Sequence, residues 1–198
     1  AHGLHINSGA LGSTSTTAIN ITADSVGNTN QNYGILLLGT GVLTIGDTGE
    51  IVLYGTAGAN LVTATDNGIG IRTNATTTIV AGTSSTSTAN VSLMGKSFAT
   101  GSRGMGIEPV GLTVTLNGTG KISCGSNAAG TVVNGCIGAV SGTDSALGFD
   151  YHSTALNATN GSVVFTKCQG WGSSTTGVGI IQSNGSAVNT KNFTATNQ

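Results

Sequence analysis

Apolar residues recur along the chain in short alternating runs, of which Leu112-Thr113-Val114-Thr115-Leu116 is the plainest. A side-chain period of two sends Leu112, Val114 and Leu116 to one face and both threonines to the other, the signature of a half-buried strand. Between Ala18 and Ile71 such runs follow a fixed order. Ala18-Ile19-Asn20-Ile21-Thr22 comes first, then Gly34-Ile35-Leu36-Leu37, then Gly41-Val42-Leu43-Thr44-Ile45, and after the turn Gly46-Asp47-Thr48-Gly49 the order restarts at Ile51-Val52-Leu53-Tyr54.

The same order runs through the chain. Opening strands start near Ile19, Ile51, Val91, Ile122 and Val163, a spacing of roughly thirty to forty residues that falls in the range of repeat architectures. The second part returns as Gly68-Ile69-Gly70-Ile71, Gly104-Met105-Gly106-Ile107, Gly135-Cys136-Ile137-Gly138 and Gly177-Val178-Gly179-Ile180. The third returns as Ile79-Val80, as Leu112 to Leu116, and in the fourth unit near Leu147 to Tyr151. Insertions fall at 83–89 and 141–160. Parts that keep their order while the gaps vary predict a solenoid, each strand stacked on its counterpart one coil away.

The expected fold is all-β, a right-handed parallel β-helix (β-solenoid) of about five to six coils with three short strands per coil. It forms a single domain over 1–198, with a partial coil at 1–17, coils starting near 18, 50, 90, 121 and 162, and a last partial coil near 190–198. Composition supports this. The 33 glycines would each weaken an ordinary fold by roughly 0.5–1 kcal/mol, and the Asn-Gly pairs at Asn67, Asn117, Asn134, Asn160 and Asn184 are placed at coil corners. Helix is not expected, because Thr, Ser, Asn and Gly dominate and no window carries apolar residues at helical spacing.

Charge narrows the functional classes. Charged residues are 7% of the chain and the formal net charge is −1, which excludes a basic nucleic-acid surface. No apolar run reaches the ~20 residues of a membrane-spanning helix, so neither nucleic acid nor membrane insertion is expected. No secretion signal is recognisable, and the chain reads as a mature or excised form.

Candidate chemistry is sparse, and no cofactor or metal is expected. Met94-Gly95-Lys96-Ser97 echoes a phosphate-binding loop without its leading glycine or helix. Asp144, Asp150, Tyr151 and His152 gather in the 141–160 insertion as a candidate ligand loop. His2 and His5 offer only two metal ligands. Cys124 and Cys168 fall in successive opening strands and are a candidate disulfide, with Cys136 left over. Thr-x-Thr at 14–16, 63–65, 113–115 and 194–196 raises ice binding as a minor alternative.

Both ends look incomplete. Gly3-Leu4-His5-Ile6 matches the second part of a unit, so the chain begins mid-coil, and Asn192-Phe193-Thr194-Ala195-Thr196 reads as a further opening strand. Leu4 and Ile6 at one end and Phe193 and Thr194 at the other are therefore candidate stacking strands, whose unpaired edges invite further strands. The partner is another copy end to end or the rest of a longer solenoid.

The phrases Val42-Leu43-Thr44-Ile45-Gly46-Asp47-Thr48-Gly49-Glu50-Ile51-Val52-Leu53 and Leu112 to Cys124 resemble the repeats of filamentous-haemagglutinin-like adhesins and autotransporter passengers. The resemblance implies a right-handed parallel β-helix, export to the cell surface, and a structural or adhesive role without catalysis, with a surface glycan or host receptor as partner. A polysaccharide-binding or polysaccharide-cleaving protein using the 141–160 loop is the alternative.

Overall fold

The computed structural model describes residues 2–26, 31–58, 67–74, 76–99, 103–130, 135–140, 146–172, 177–183 and 185–196. Among them there is no helix, and sixteen strands make one parallel sheet that does not close on itself. In order these are β1 (His2–Gly12), β2 (Ala18–Ser25), β3 (Gln31–Ile45), β4 (Glu50–Ala57), β5 (Asn67–Asn74), β6 (Thr78–Ala81), β7 (Asn90–Ala99) and β8 (Arg103–Glu108). There follow β9 (Thr113–Leu116), β10 (Lys121–Cys124), β11 (Cys136–Val140), β12 (Ala146–His152), β13 (Ala155–Thr166), β14 (Cys168–Gly172), β15 (Gly177–Ser183) and β16 (Ala187–Thr196).

Parallel pairing sorts these strands into ladders whose rungs are successive repeat units. The first ladder is β2, β4, β7, β10, β13, β16, and its register brings Ile19, Ile51, Val91, Ile122, Val163 and Phe193 into one row. The second begins with the first half of β1, continues through β3, β5, β8 and β12, and ends on β15, with Leu4, Ile35, Ile71, Ile107, Phe149 and Ile180 in one row. The third takes the second half of β1, then β3, β6, β9, β13 and β16, aligning Leu11, Leu43, Ile79, Val114, Leu156 and Val188. These rows meet in one core, in which Ile35, Ile45, Ile51, Ile79, Val91, Val114, Ile122 and Phe149 are fully buried. Burial of each such side chain contributes roughly 1.5–3 kcal/mol, and stacking supplies the neighbour that makes it possible.

The later units depart from the expected layout. In the first units the opening strand runs on unbroken, but β10 stops at Cys124 and the chain resumes the same ladder at β11 after a detour. β11 pairs with the second half of β7 and with β14, so Gly95, Cys136 and Cys168 share a row. Gly135-Cys136-Ile137-Gly138 is thus the tail of an opening strand and not a second part. The true second part of that unit is Ala146-Leu147-Gly148-Phe149, in register with Gly104 to Ile107, and the third is β13 from Ala155. Consequently the span 146–160 is ladder, not insertion. The extra residues lie before β11, where Glu50 Oε1 accepts a 2.8 Å hydrogen bond from the Ala128 amide and holds the detour down.

Glycine serves the fold at corners, as at Gly49, Gly135 and Gly185 with φ of 104°, 72° and 73°, and also in mid-strand. Flanking registers bracket Gly34, Gly70, Gly106, Gly148 and Gly179 into one row of the second ladder. There the ladder meets the tails of the opening strands backbone to backbone: a Cβ on Gly70 would lie 2.4 Å from the Lys96 nitrogen, and one on Gly148 2.5 Å from the Gln169 nitrogen. This pinch separates the main core from a second apolar cluster of Tyr33, Leu36, Ile69, Met105 and Leu147.

Candidate assembly ends and a buried ionic cluster

At the lower end β2 pairs only with β4 and β1 only with β3 among the described residues; at the upper end β14, β15 and β16 pair only with β11, β12 and β13. The ends are stepped. β1 supplies a rung to the second and third ladders one level below β2, and the last segment of β16 stands one level above β15 on the first ladder. Where the upper staircase has a rung of the first ladder and lacks the next two, the lower staircase has those two.

The apolar rows surface at these ends. Val163 is fully buried, yet Phe193 on the next rung is 55% exposed; Leu43 is 1% exposed and Leu11 beneath it 42%. Val26 follows β2 and Trp171 lies on β14, both also exposed. Among the described residues only Phe98, of the exposed large apolar side chains, lies on an inner rung. The expected stacking residues fall on these edges: Leu4 and Ile6 are half-buried on β1, and Phe193 and Thr194 are exposed on β16. Phe193 lies 5.8 Å ring to ring from Phe165, extending an aromatic stack that includes Phe149 and Tyr151. Between β14, β15 and β16 an open groove of about 250 Å³ is lined by Cys168, Val178, Gly179, Ile180, Ala195 and Thr196.

The expected ligand loop is not a loop. Asp150, Tyr151 and His152 end β12, Asp144 lies outside the described residues, and Tyr151 is buried in the core with its hydroxyl donating to Gln182 at 3.0 Å. Burial pushes the Tyr151 hydroxyl above its usual range. Asp150 instead joins charges from neighbouring rungs. It follows Phe149 as Glu108 follows Ile107 on the rung below, and Arg72 is the register partner of Glu108. Arg72 Nη1 donates to Glu108 Oε2 at 2.6 Å, and its guanidinium lies 5.6 Å from the Tyr33 ring centroid. His152 Nε2 stands 2.9 Å from Asp150 Oδ1. Both carboxylates are buried, and burial raises the Glu108 carboxyl above its usual range despite opposing pulls from Arg72 and Arg103.

The three cysteines are buried as free thiols. Register sets Cys168 opposite Cys136, while Cys124 faces Phe165, so the expected Cys124–Cys168 pairing is replaced by a thiol contact of Cys168 to the Cys124 carbonyl at 3.8 Å. Burial pushes the Cys124 and Cys136 thiols well above the usual range. His2 stacks on Tyr33 at 5.1 Å and meets the His5 ring edge at 5.4 Å. Thr113 and Thr115 stand on the third ladder and Thr194 and Thr196 on the first, so these threonine pairs share no plane. Gly95 and Lys96, in the echo of a phosphate loop, lie within β7, and Lys96 Nζ sits 4.4 Å over the Phe98 ring.

No protein-family model matches the chain, and neither a curated protein nor a solved structure does. The ends were legible from sequence, because their runs repeat inner ones. The Arg72, Glu108, Asp150 and His152 cluster was not: only register across three rungs joins residues this far apart, and Arg72 and Glu108 carry no local motif.

Proposed function

We propose that the chain is a non-catalytic structural β-solenoid, a building block of an extracellular surface fibre that assembles by end-to-end stacking of copies. In this reading it is a right-handed parallel β-helix with coils starting near 18, 50, 90, 121 and 162 and a partial coil at each end. The observation that supports it best is the pair of matched staircases: β16 of one copy and β1 of the next would complete a shared coil, each filling the rungs the other lacks. Phe193 and Leu11 would then enter rows whose inner members are buried, and open strand edges would gain partners.

Each of the three ladders has six rungs, so a copy would advance the fibre by roughly 29 Å at about 4.8 Å per rung. The tail ladder of β2, β4, β7, β11 and β14 has one rung fewer, and the open groove beside Cys168 is where that rung would lie. Hydroxyl- and amide-rich flanks, repeated at each coil, suit multivalent attachment to a surface glycan or host receptor. This is the adhesive role that the resemblance to surface adhesins suggests.

Sedimentation of Phe193→Asp and Leu11→Asp against the unaltered chain tests the reading. Stacking predicts that the unaltered chain forms large species as its concentration rises, while either substitution, placing a charge in a joint that must dry, leaves monomers of unchanged circular dichroism. If the chain stays monomeric throughout, the ends are instead covered by further coils of a longer column, and assembly by copies is refuted.

A further inference from the structure

The ionic cluster, which Arg72 and Arg103 flank, leaves one of its buried carboxylate oxygens without a hydrogen bond. Glu108 and Asp150 stack on adjacent rungs, both buried, and the Arg72 guanidinium, lying over the Tyr33 ring, donates to Oε2 of Glu108. Asp150 Oδ1 is buried and receives no hydrogen bond: His152 Nε2 comes within 2.9 Å, an ion-pair distance, but without hydrogen-bond geometry. One ligand atom each from Glu108, Asp150 and His152 lies within 4.8 Å of the other two. Buried charges of this kind are ordinarily paired or coordinate a metal.

We propose that Glu108, Asp150 and His152 bind a first-row divalent transition metal, with Zn²⁺ the reference ion, clamping β8 to β12. Two carboxylate oxygens and one imidazole nitrogen form a mixed donor set suited to such ions, whereas Ca²⁺ takes six to eight oxygens. Bonds of about 2.0–2.2 Å to a common centre require only a modest rotation of the side chains from their present spacing. Arg72, holding the second oxygen of Glu108, is the outer partner that orients this ligand. The His152 side chain is 29% exposed, which gives the ion a path in and leaves a coordination position for water. A cation there would also offset the desolvation that keeps the Glu108 carboxyl raised.

Untagged full-length chain, freed of metal with a chelator, is titrated with zinc chloride by calorimetry and melted with and without the ion. The expected result is one saturable site per chain, a higher melting temperature with zinc, and at least about a tenfold loss of affinity in Asp150→Asn and in the more exposed His152→Gln. A His2→Ala and His5→Ala double variant, which removes the other imidazoles near an end, is expected to bind as the unaltered chain does. Cobalt(II) in place of zinc is expected to give a visible absorption band that His152→Gln abolishes. Absence of saturable binding at millimolar zinc, equal binding by the two cluster variants, or loss confined to the amino-terminal double variant would each overturn the site.

Discussion

Substituting Gly106 by alanine probes the pinch on which the cross-section depends. A Cβ there would lie 2.5 Å from the Ile137 nitrogen, 2.6 Å from the Gly148 oxygen and 2.7 Å from the Cys136 carbonyl carbon. All three are backbone atoms of neighbouring strands, and each distance is roughly an ångström below the ~3.5–4.0 Å optimum for carbon contacts. No side chain can swing aside, so β8, β11 and β12 must separate. Overpacking of this kind costs about 1–3 kcal/mol, and backbone contacts on two sides place Gly106→Ala at the top of that range. The stiffer unfolded chain returns only about 0.4–1 kcal/mol. The net loss is about 2–3 kcal/mol, which at ~2–4 °C per kcal/mol for a chain of this size lowers the melting temperature by roughly 5–10 °C. Gly41→Ala is the control, since its nearest neighbour is the Leu38 oxygen at 3.8 Å, and it is expected to be neutral or slightly stabilising. Urea unfolding followed by circular dichroism reads both. Should Gly106→Ala unfold within about 0.5 kcal/mol of the unaltered chain, the close approach of the two ladders is wrong.

Three further outcomes follow from local chemistry. The thiols of Cys124, Cys136 and Cys168 are buried, and the first two are pushed well above their usual range; a maleimide reagent is expected to label none in the native chain and three after non-reducing denaturation, whereas one label would signify the Cys124–Cys168 disulfide. Asp47 accepts hydrogen bonds from the Thr83 amide at 2.6 Å and the Ser84 amide at 3.1 Å, which hold its carboxyl below the ordinary 3.8. Its stabilisation of the 83–87 turn is therefore present above that value and lost as pH falls below it, so protection of the Thr83 and Ser84 amides, measured against the exchange rate of an unstructured peptide at the same pH, is expected to fall only in that acid range, and to be reduced at all pH values in Asp47→Asn. Lys167 joins β13 to β14 at a φ of 51°, a left-handed conformation that costs a side chain of this kind about 1 kcal/mol; Lys167→Gly is expected to raise stability by roughly 0.5–1 kcal/mol in a urea melt, and a loss of that size would contradict the assigned backbone.

The sequence discloses a row when its members look alike. Ile19, Ile51, Val91, Ile122 and Val163 are all β-branched, follow one order of parts and face inward, so one period reveals them, and Phe193 follows as the next member. Gly-Ile pairs mark the second ladder for the same reason, until the fourth unit, where Phe149 takes the isoleucine position and Gly135-Cys136-Ile137-Gly138 imitates the pattern one strand too early. That misreading turned two ladder strands into an insertion and Asp150 and His152 into loop residues. Glycine was legible in part: Gly118, Gly135 and Gly185 lie between strands as their Asn-Gly pairs suggest, but the mid-strand row from Gly34 to Gly179 shows its role only once the neighbouring ladder is in place. The ionic cluster is three-dimensional in origin, because the stack of Arg72, Glu108 and Asp150 exists only once the register is set.

Electron microscopy of concentrated, purified chain, with diffraction from aligned specimens, measures the central claim most directly. The account predicts unbranched fibres of uniform width, a meridional spacing near 4.8 Å from stacked strands, and a longer axial repeat of roughly 29 Å from one copy to the next. Discrete particles at every concentration, or fibres whose strands run along the axis, would contradict it.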